Sequence, residues 1–201
     1  MKRVAVVDYG LGNLRSVTRG LERAGAVVRL TAEPEDVLAA DRIVLPGVGA
    51  FHEGMAQLRP LVESILRAVE TVPVLGICLG MQMLLESSEE HGRHQGLALV
   101  PGEVCAFPRV RGLKVPHMGW NTIRVEHPDD PLLDDLPPEV YVYFVHSFYA
   151  RTGPAERLCS TEYIQTFSSA VRSKNAWGVQ FHPEKSSAVG LKILENFIER
   201  C

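Results

Sequence analysis

No stretch of this chain holds the about 18 consecutive apolar residues that a membrane-crossing helix needs. Nor is there a long basic run: 21 Lys and Arg stand against 24 Asp and Glu, a net charge of −3. That balance argues against non-specific binding to nucleic acid or to an anionic membrane surface. Behind Lys2 and Arg3 the apolar stretch runs only from Val4 to Val7 before Asp8, too short for the core of a signal peptide. Cysteine is sparse: Cys78, Cys105, Cys159 and Cys201 are widely spaced and include no CxxC pair. With no export signal, the expectation is a reduced, cytoplasmic protein in which Cys105, Cys159 and Cys201 are core or surface thiols. Repeats, linkers and low-complexity tracts are also missing, so residues 1–201 are expected to form one domain with a full core.

The chain does contain a regular alternation. Val4 to Val7 is a continuous apolar run, the pattern of a strand covered on both faces. A turn-rich segment follows, then a helical stripe of Leu14, Val17, Leu21 and Ala24 that stops at Gly25. Val27 to Leu30 reads as a strand, Pro34 to Ala39 as a short helix, and Arg42 to Leu45 as a third strand. Helical pattern runs through Leu58 and, past Pro60, along Leu61, Ile65, Leu66 and Val69. Val74 to Ile77 is the fourth strand, with a helix expected from Met81 to Leu85. This order predicts an α/β fold: a mostly parallel sheet wrapped by helices. From Leu97 the runs shorten and fill with Val, Tyr and Phe between Pro and Gly, as at Val140 to Val145, Ile164 to Val171 and Ala176 to Phe181. These predict mixed or antiparallel strands added in the C-terminal half, before a last helix from Val189 to Glu199.

Gly76-Ile77-Cys78-Leu79-Gly80 follows the fourth strand with the spacing of a nucleophile elbow, cysteine standing where such turns often hold serine. The flanking glycines suit a turn that passes too close to other backbone for side chains. A helix N-terminus behind the cysteine favours a thiolate, and the Leu79 N–H points where an oxyanion would form. By itself the segment reads as well as a buried cysteine in an apolar core. A nucleophile needs a base and the base an orienter. Among seven histidines, His182 alone is joined to a carboxylate in a rigid setting, Phe181-His182-Pro183-Glu184. On extended chain, residues two apart share a side, so His182 and Glu184 can meet. A Cys78/His182/Glu184 triad follows from the two segments together. Pro46-Gly47-Val48-Gly49 directly after the third strand offers backbone N–H groups for the other half of an oxyanion hole.

Other signals carry less. Gly10-Leu11-Gly12-Asn13-Leu14-Arg15 lacks the third glycine of a dinucleotide fingerprint, and no acidic residue closes Val27 to Leu30. His91 and His94 lie in a polar segment without a third ligand nearby, so no metal and no cofactor is expected. Asp129, Asp130, Asp134 and Asp135 lack the alternation of a calcium loop and read as a solvated turn.

Together GICLGMQ, LPGVGAF and GVQFHPEKS resemble the class I, triad-type glutamine amidotransferases. VVDYGLGNLRSV (residues 6–17), VPHMGWN (115–121) and YFVHSFYA (143–150) resemble one branch of that family, which supplies ammonia to a cyclase of histidine biosynthesis. The likeness runs from residue 4 to about residue 199, departing at Phe148, where many members carry tyrosine. It implies a flavodoxin-like fold, and a Cys78 that attacks the side-chain amide of glutamine to form a thioester. His182 would move protons with Glu184 orienting it, and Leu79 with Val48 and Gly49 would hold the oxyanion. Gln82 and Glu90 would bind glutamine, beside a wall formed by the His146-Ser147-Phe148 backbone. The resemblance further implies a heterodimer with a (β/α)₈-barrel cyclase, faced by Asn13, Trp120, Asn121 and Lys185. Trp120 is either an anchor of that interface or a core residue. Three other readings stand beside this one: the glutaminase of an anthranilate or GMP synthase, another cysteine-elbow hydrolase or chaperone-like enzyme, and a binding module that has lost its chemistry.

Overall fold

The computed structural model describes residues 1–201. Its first half alternates through β1 (Arg3–Val7), α1 (Leu14–Arg23), β2 (Val27–Thr31), α2 (Pro34–Leu38) and β3 (Arg42–Leu45). It continues through α3 (Phe51–Leu58), α4 (Val62–Ala68), β4 (Val74–Ile77) and α5 (Leu79–Leu84). Strands then dominate: β5 (Leu85–Ser88), β6 (His94–Gln95), β7 (Val100–Ala106), β8 (His117–Val125) and β9 (Glu139–His146). After β10 (Phe148–Arg151), β11 (Arg157–Tyr163), β12 (Gln165–Ser173) and β13 (Ala176–Val179), the chain closes on α6 (Ser187–Glu199).

All thirteen strands join one sheet. Its parallel part runs β2-β1-β3-β4-β13, with every residue of β3 and β4 buried, as expected of strands covered on both faces. β1 is buried from Val4 to Val7, whereas β2 is the edge and exposes Val27 and Leu30. Beyond β13 the sheet continues through the antiparallel β12, β10 and β7, while β11, β8 and β9 form a side branch. Helices α1 and α6 cover one face through Val17, Leu21, Leu194 and Phe197; α2 to α5 cover the other through Val37, Phe51, Ile65 and Met81. The last strand docks beside the fourth, pairing Gly178 with Gly76 and Val179 with Ile77. That register brings the residues following β13 alongside the residue following β4, which is Cys78.

Several local expectations change. α5 begins at Leu79 rather than Met81 and gives way to a strand at Leu85. The reason is tertiary: the N–H groups of Leu97, Leu99 and Ala98 take the carbonyls of Met83, Leu84 and Leu85 at 2.8, 2.9 and 3.1 Å, filling the acceptors another helical turn would use. β13 stops at Val179, and α6 starts two residues before Val189. Asp130 is no solvated turn residue. It is buried, its carboxylate accepting from Trp177 Nε1 at 3.1 Å and from Arg172 Nη1 at 2.7 Å.

Candidate active site

Cys78 joins β4 to α5 with φ 54° and ψ −106°, a left-handed backbone that costs an ordinary residue about 1–3 kcal/mol. Flanking backbone holds it there: its N–H donates to Val179 O at 2.8 Å and its carbonyl accepts from Gln82 N at 3.1 Å. The elbow requires its glycines because the chain is pressed from both sides. A Cβ on Gly76 would lie 2.6 Å from the Gly80 carbonyl, and one on Gly80 would run into the Leu45 carbonyl oxygen of β3.

His182 follows β13 by three residues, its N–H bonded to Tyr143 O of β9 at 2.9 Å. His182 Nδ1 and Glu184 Oε1 lie 2.8 Å apart, with both side chains almost fully buried. The two meet as expected, but not on extended chain: Pro183–Lys185 forms a 3₁₀ turn, for which a proline at the first position is preorganised. Burial by itself would lower the His182 pKa. The Cys78 sulfur and the Glu184 carboxylate outweigh it and raise the imidazole to about 9. In the resting geometry His182 Nε2 is buried without a hydrogen-bond partner. Instead, the thiol donates weakly to Val145 O at 3.8 Å and accepts from Gln180 Nε2 at 3.7 Å.

Cys78 opens into a cavity of about 280 Å³, room for an amino acid. Val48, Gly49, Leu79, Gln82, Glu90 and Ser147 are among the residues that line it. The backbone N–H expected to serve an oxyanion is already occupied. Leu79 N–H donates to Gly47 O at 3.3 Å, and Tyr9 OH bonds the neighbouring Pro46 carbonyl at 2.5 Å. At the far end of the same loop, Glu90 Oε2 accepts from Phe51 N at 2.6 Å. Gln82 directs its amide nitrogen to Phe148 O and Gln180 Oε1, each at 3.1 Å.

Behind the Phe148 wall lies a buried histidine pair. His146 Nδ1 reaches Phe148 O at 2.7 Å, His117 Nδ1 reaches His146 Nε2 at 2.9 Å, and Asn121 Nδ2 reaches His117 Nε2 at 3.2 Å. A carbonyl only accepts, so each imidazole carries its proton on Nδ1 and both are neutral. Burial enforces this, lowering His117 to about 4 and His146 to about 3.

Among the other sequence candidates, Trp120 is 53% exposed, which removes the core-packing reading. It stands edge-on to Tyr143 at 6.1 Å, and Lys185 Nζ lies 5.8 Å from the same ring. Met118 and Tyr141 extend this exposed apolar face. Asn13 is exposed and caps α1 by accepting from Ser16 N at 3.4 Å. Asn121 directs its amide hydrogens inward, to His117 and to Glu162 O at 3.1 Å. Sequence reasoning passed over Gln180 and Tyr9, although both sit within quoted motifs; only the fold shows what they touch. Glu89, Glu103 and Cys105 bring possible metal-ligand atoms within 4.8 Å of one another, but none lines the Cys78 cavity and Glu103 is ion-paired with Arg151.

A cysteine elbow at the end of a parallel strand, beside a buried His–Glu pair carried by the neighbouring strand, is the arrangement of a thiol-dependent α/β enzyme. The model of the family Glutamine amidotransferase class-I matches residues 5–201, and the chain belongs to that family. The imidazole glycerol phosphate synthase subunit HisH of Methanosarcina mazei is 53% identical over 204 residues, covering all of both chains. The HisH subunit of Natronomonas pharaonis is 53% identical over 98% of this chain and 94% of its own. Within the family, the chain therefore falls in the HisH group. One chain of the PurLQS structure from Thermotoga maritima shares the fold at a TM-score of 0.72 and 21% identity, covering 98% of each.

Proposed function

We propose that the protein is the glutaminase subunit of an imidazole glycerol phosphate synthase, a single cytoplasmic domain that hydrolyses glutamine to glutamate and ammonia. The observation carrying this reading is Cys78 opening into a cavity sized for an amino acid while its sulfur acts on the buried His182–Glu184 pair. The Cys78 thiol gives its proton to His182 and attacks the glutamine carboxamide carbon as the thiolate. An imidazole raised to about 9 is protonated at neutral pH, so His182 has a proton at Nε2 for the departing ammonia. The neutral imidazole then takes a proton from water, which cleaves the thioester to glutamate and returns the thiol. Glu184 holds the ring through Nδ1, and Glu90 offers a carboxylate for the substrate ammonium.

The oxyanion step needs a rearrangement. Leu79 N–H must leave Gly47 O before it can meet a developing negative charge, and Val48 and Gly49 move with that loop. A subunit at rest with its oxyanion donor occupied suits an enzyme that hydrolyses glutamine when a partner shifts the loop. The partner proposed is a (β/α)₈-barrel cyclase, docked on the exposed face around Trp120, Met118 and Lys185 and taking the ammonia directly. No helix is long and apolar enough to cross a membrane.

Reconstitution tests the reading. The isolated subunit should turn over glutamine slowly, and much faster once the cyclase and its nucleotide substrate are added. Cys78→Ala should abolish glutamine-dependent synthesis while synthesis from free ammonia persists. Rapid hydrolysis by the isolated subunit, unchanged by the cyclase, would refute the partnership.

A further inference from the structure

Gln180 has no part in the chemistry above, yet it is completely buried and touches the reacting atom. Its orientation follows from one carbonyl. Phe148 O only accepts, so Gln82 must present its NH₂ there, at 3.1 Å. The second hydrogen of that NH₂ faces Gln180 at 3.1 Å, which obliges Gln180 to offer its oxygen. The Gln180 NH₂ is then left facing the Cys78 sulfur at 3.7 Å. From its other side the same carbonyl is held by His146 Nδ1 at 2.7 Å, so the anchor of this chain is itself fixed.

The geometry points to Gln180 as a catalytic residue: its carboxamide N–H donates to the Cys78 sulfur and stabilises the thiolate that attacks the substrate. This assignment rests on the proposed thioester mechanism. The sulfur has two contacts of opposite character. Val145 O accepts from the thiol proton and has nothing to offer a thiolate, whereas the Gln180 N–H strengthens as the sulfur becomes charged. The fixed amide chain prevents Gln180 from turning its oxygen toward the anion, so the donor is preorganised in a buried site.

The test is the rate at which iodoacetamide alkylates Cys78 in the isolated subunit, without glutamine, followed by peptide mass mapping across pH. Mapping separates Cys78 from Cys105, Cys159 and Cys201. His182 and Tyr9 act on the sulfur, Glu90 and His146 share its cavity, and all four titratable side chains stay intact in the variants. Gln180→Leu removes the donor and should slow alkylation at pH 7 by about tenfold to a hundredfold, moving the profile to higher pH. Gln180→Glu keeps an oxygen for Gln82 but turns the other toward sulfur, and should slow alkylation further. Should the leucine variant fail to fold, the nearly isosteric Gln180→Glu decides the matter. Alkylation at the parental rate and with the parental profile in a folded variant overturns the assignment, whatever its glutaminase activity. A parent that alkylates at Cys78 but never hydrolyses glutamine, even with the cyclase, would instead overturn the glutaminase reading and with it the catalytic role, while the Gln180 donation to the sulfur would stand.

Discussion

Lowering the pH from 7 to 5 should destabilise this protein through His117 and His146 in particular. Both are buried and neutral, with pKa values lowered by desolvation from 6.5 to about 4 and about 3. A histidine depressed in the folded state contributes stability that is present above 6.5 and lost as pH falls toward the folded value. At pH 5 an unfolded histidine is mostly protonated while the folded pair still binds almost no proton. The difference is worth about 2 kcal/mol for each residue, about 4 kcal/mol for the pair. The result depends little on the exact folded values, since anything below about 4.5 leaves the folded pair neutral at pH 5. His182 works the other way. Its pKa is raised to about 9, so its contribution is full below 6.5 and is lost as pH rises through 9; it returns less than about 1 kcal/mol between pH 7 and 5. The net loss from the three, about 3 kcal/mol, is a large share of a typical domain's 5–15 kcal/mol. Urea unfolding of the parent and of His117→Asn, at both pH values, isolates the effect. Asparagine keeps an N–H donor toward His146 Nε2 but does not titrate. It forfeits the stacking of His117 on Tyr163 (centroids 4.1 Å apart) and Phe144 (4.7 Å), so the variant should be weaker at both pH values. Its loss between pH 7 and 5 should nevertheless be smaller than the parent's by about 2 kcal/mol. Equal losses would refute the claim that His117 is held neutral by burial.

Two further expectations concern the elbow and the triad. Gly80→Ala drives a methyl into the Leu45 carbonyl, an overpacking by backbone that does not yield; unfolding in urea should show a loss of about 1–3 kcal/mol or more, and parental stability would contradict the close approach. Glu184→Gln keeps a hydrogen-bonding group beside His182 but removes a charge that opposes the effect of burial. On the proposed mechanism, the high-pH limb of glutaminase activity assayed with the cyclase should move down from about 9, with kcat falling about a hundredfold and KM little altered. An unshifted limb would mean that Glu184 does not set the state of His182.

Sequence alone determined the parallel strands and the helices between them, because those signals are local. Three large apolar residues and a glycine at Val74 to Ile77, with Gly76 and Gly80 spaced around Cys78, specify a buried strand and a tight turn. His182-Pro183-Glu184 is likewise local: the proline starts a turn that brings the two side chains together. What only the tertiary structure decided depends on partners far along the chain. Asp129, Asp130, Asp134 and Asp135 look alike in sequence, and Asp130 is buried only because Trp177 and Arg172 arrive from other strands to satisfy it. Leu85 reads as a helical residue until the loop of residues 97–99 takes the carbonyls a further turn would need. Trp120 could have belonged to a core; the pairing of β8 with β9 leaves it on the outer face beside Tyr143. Gln180 carries no chemistry in a one-dimensional reading. It acquires a direction from Phe148 O, through Gln82, and a target from the docking of β13 beside β4, which sets it against Cys78. Periodicity and turn chemistry are written in neighbouring residues, whereas burial and hydrogen-bond polarity are set by whatever the fold brings alongside.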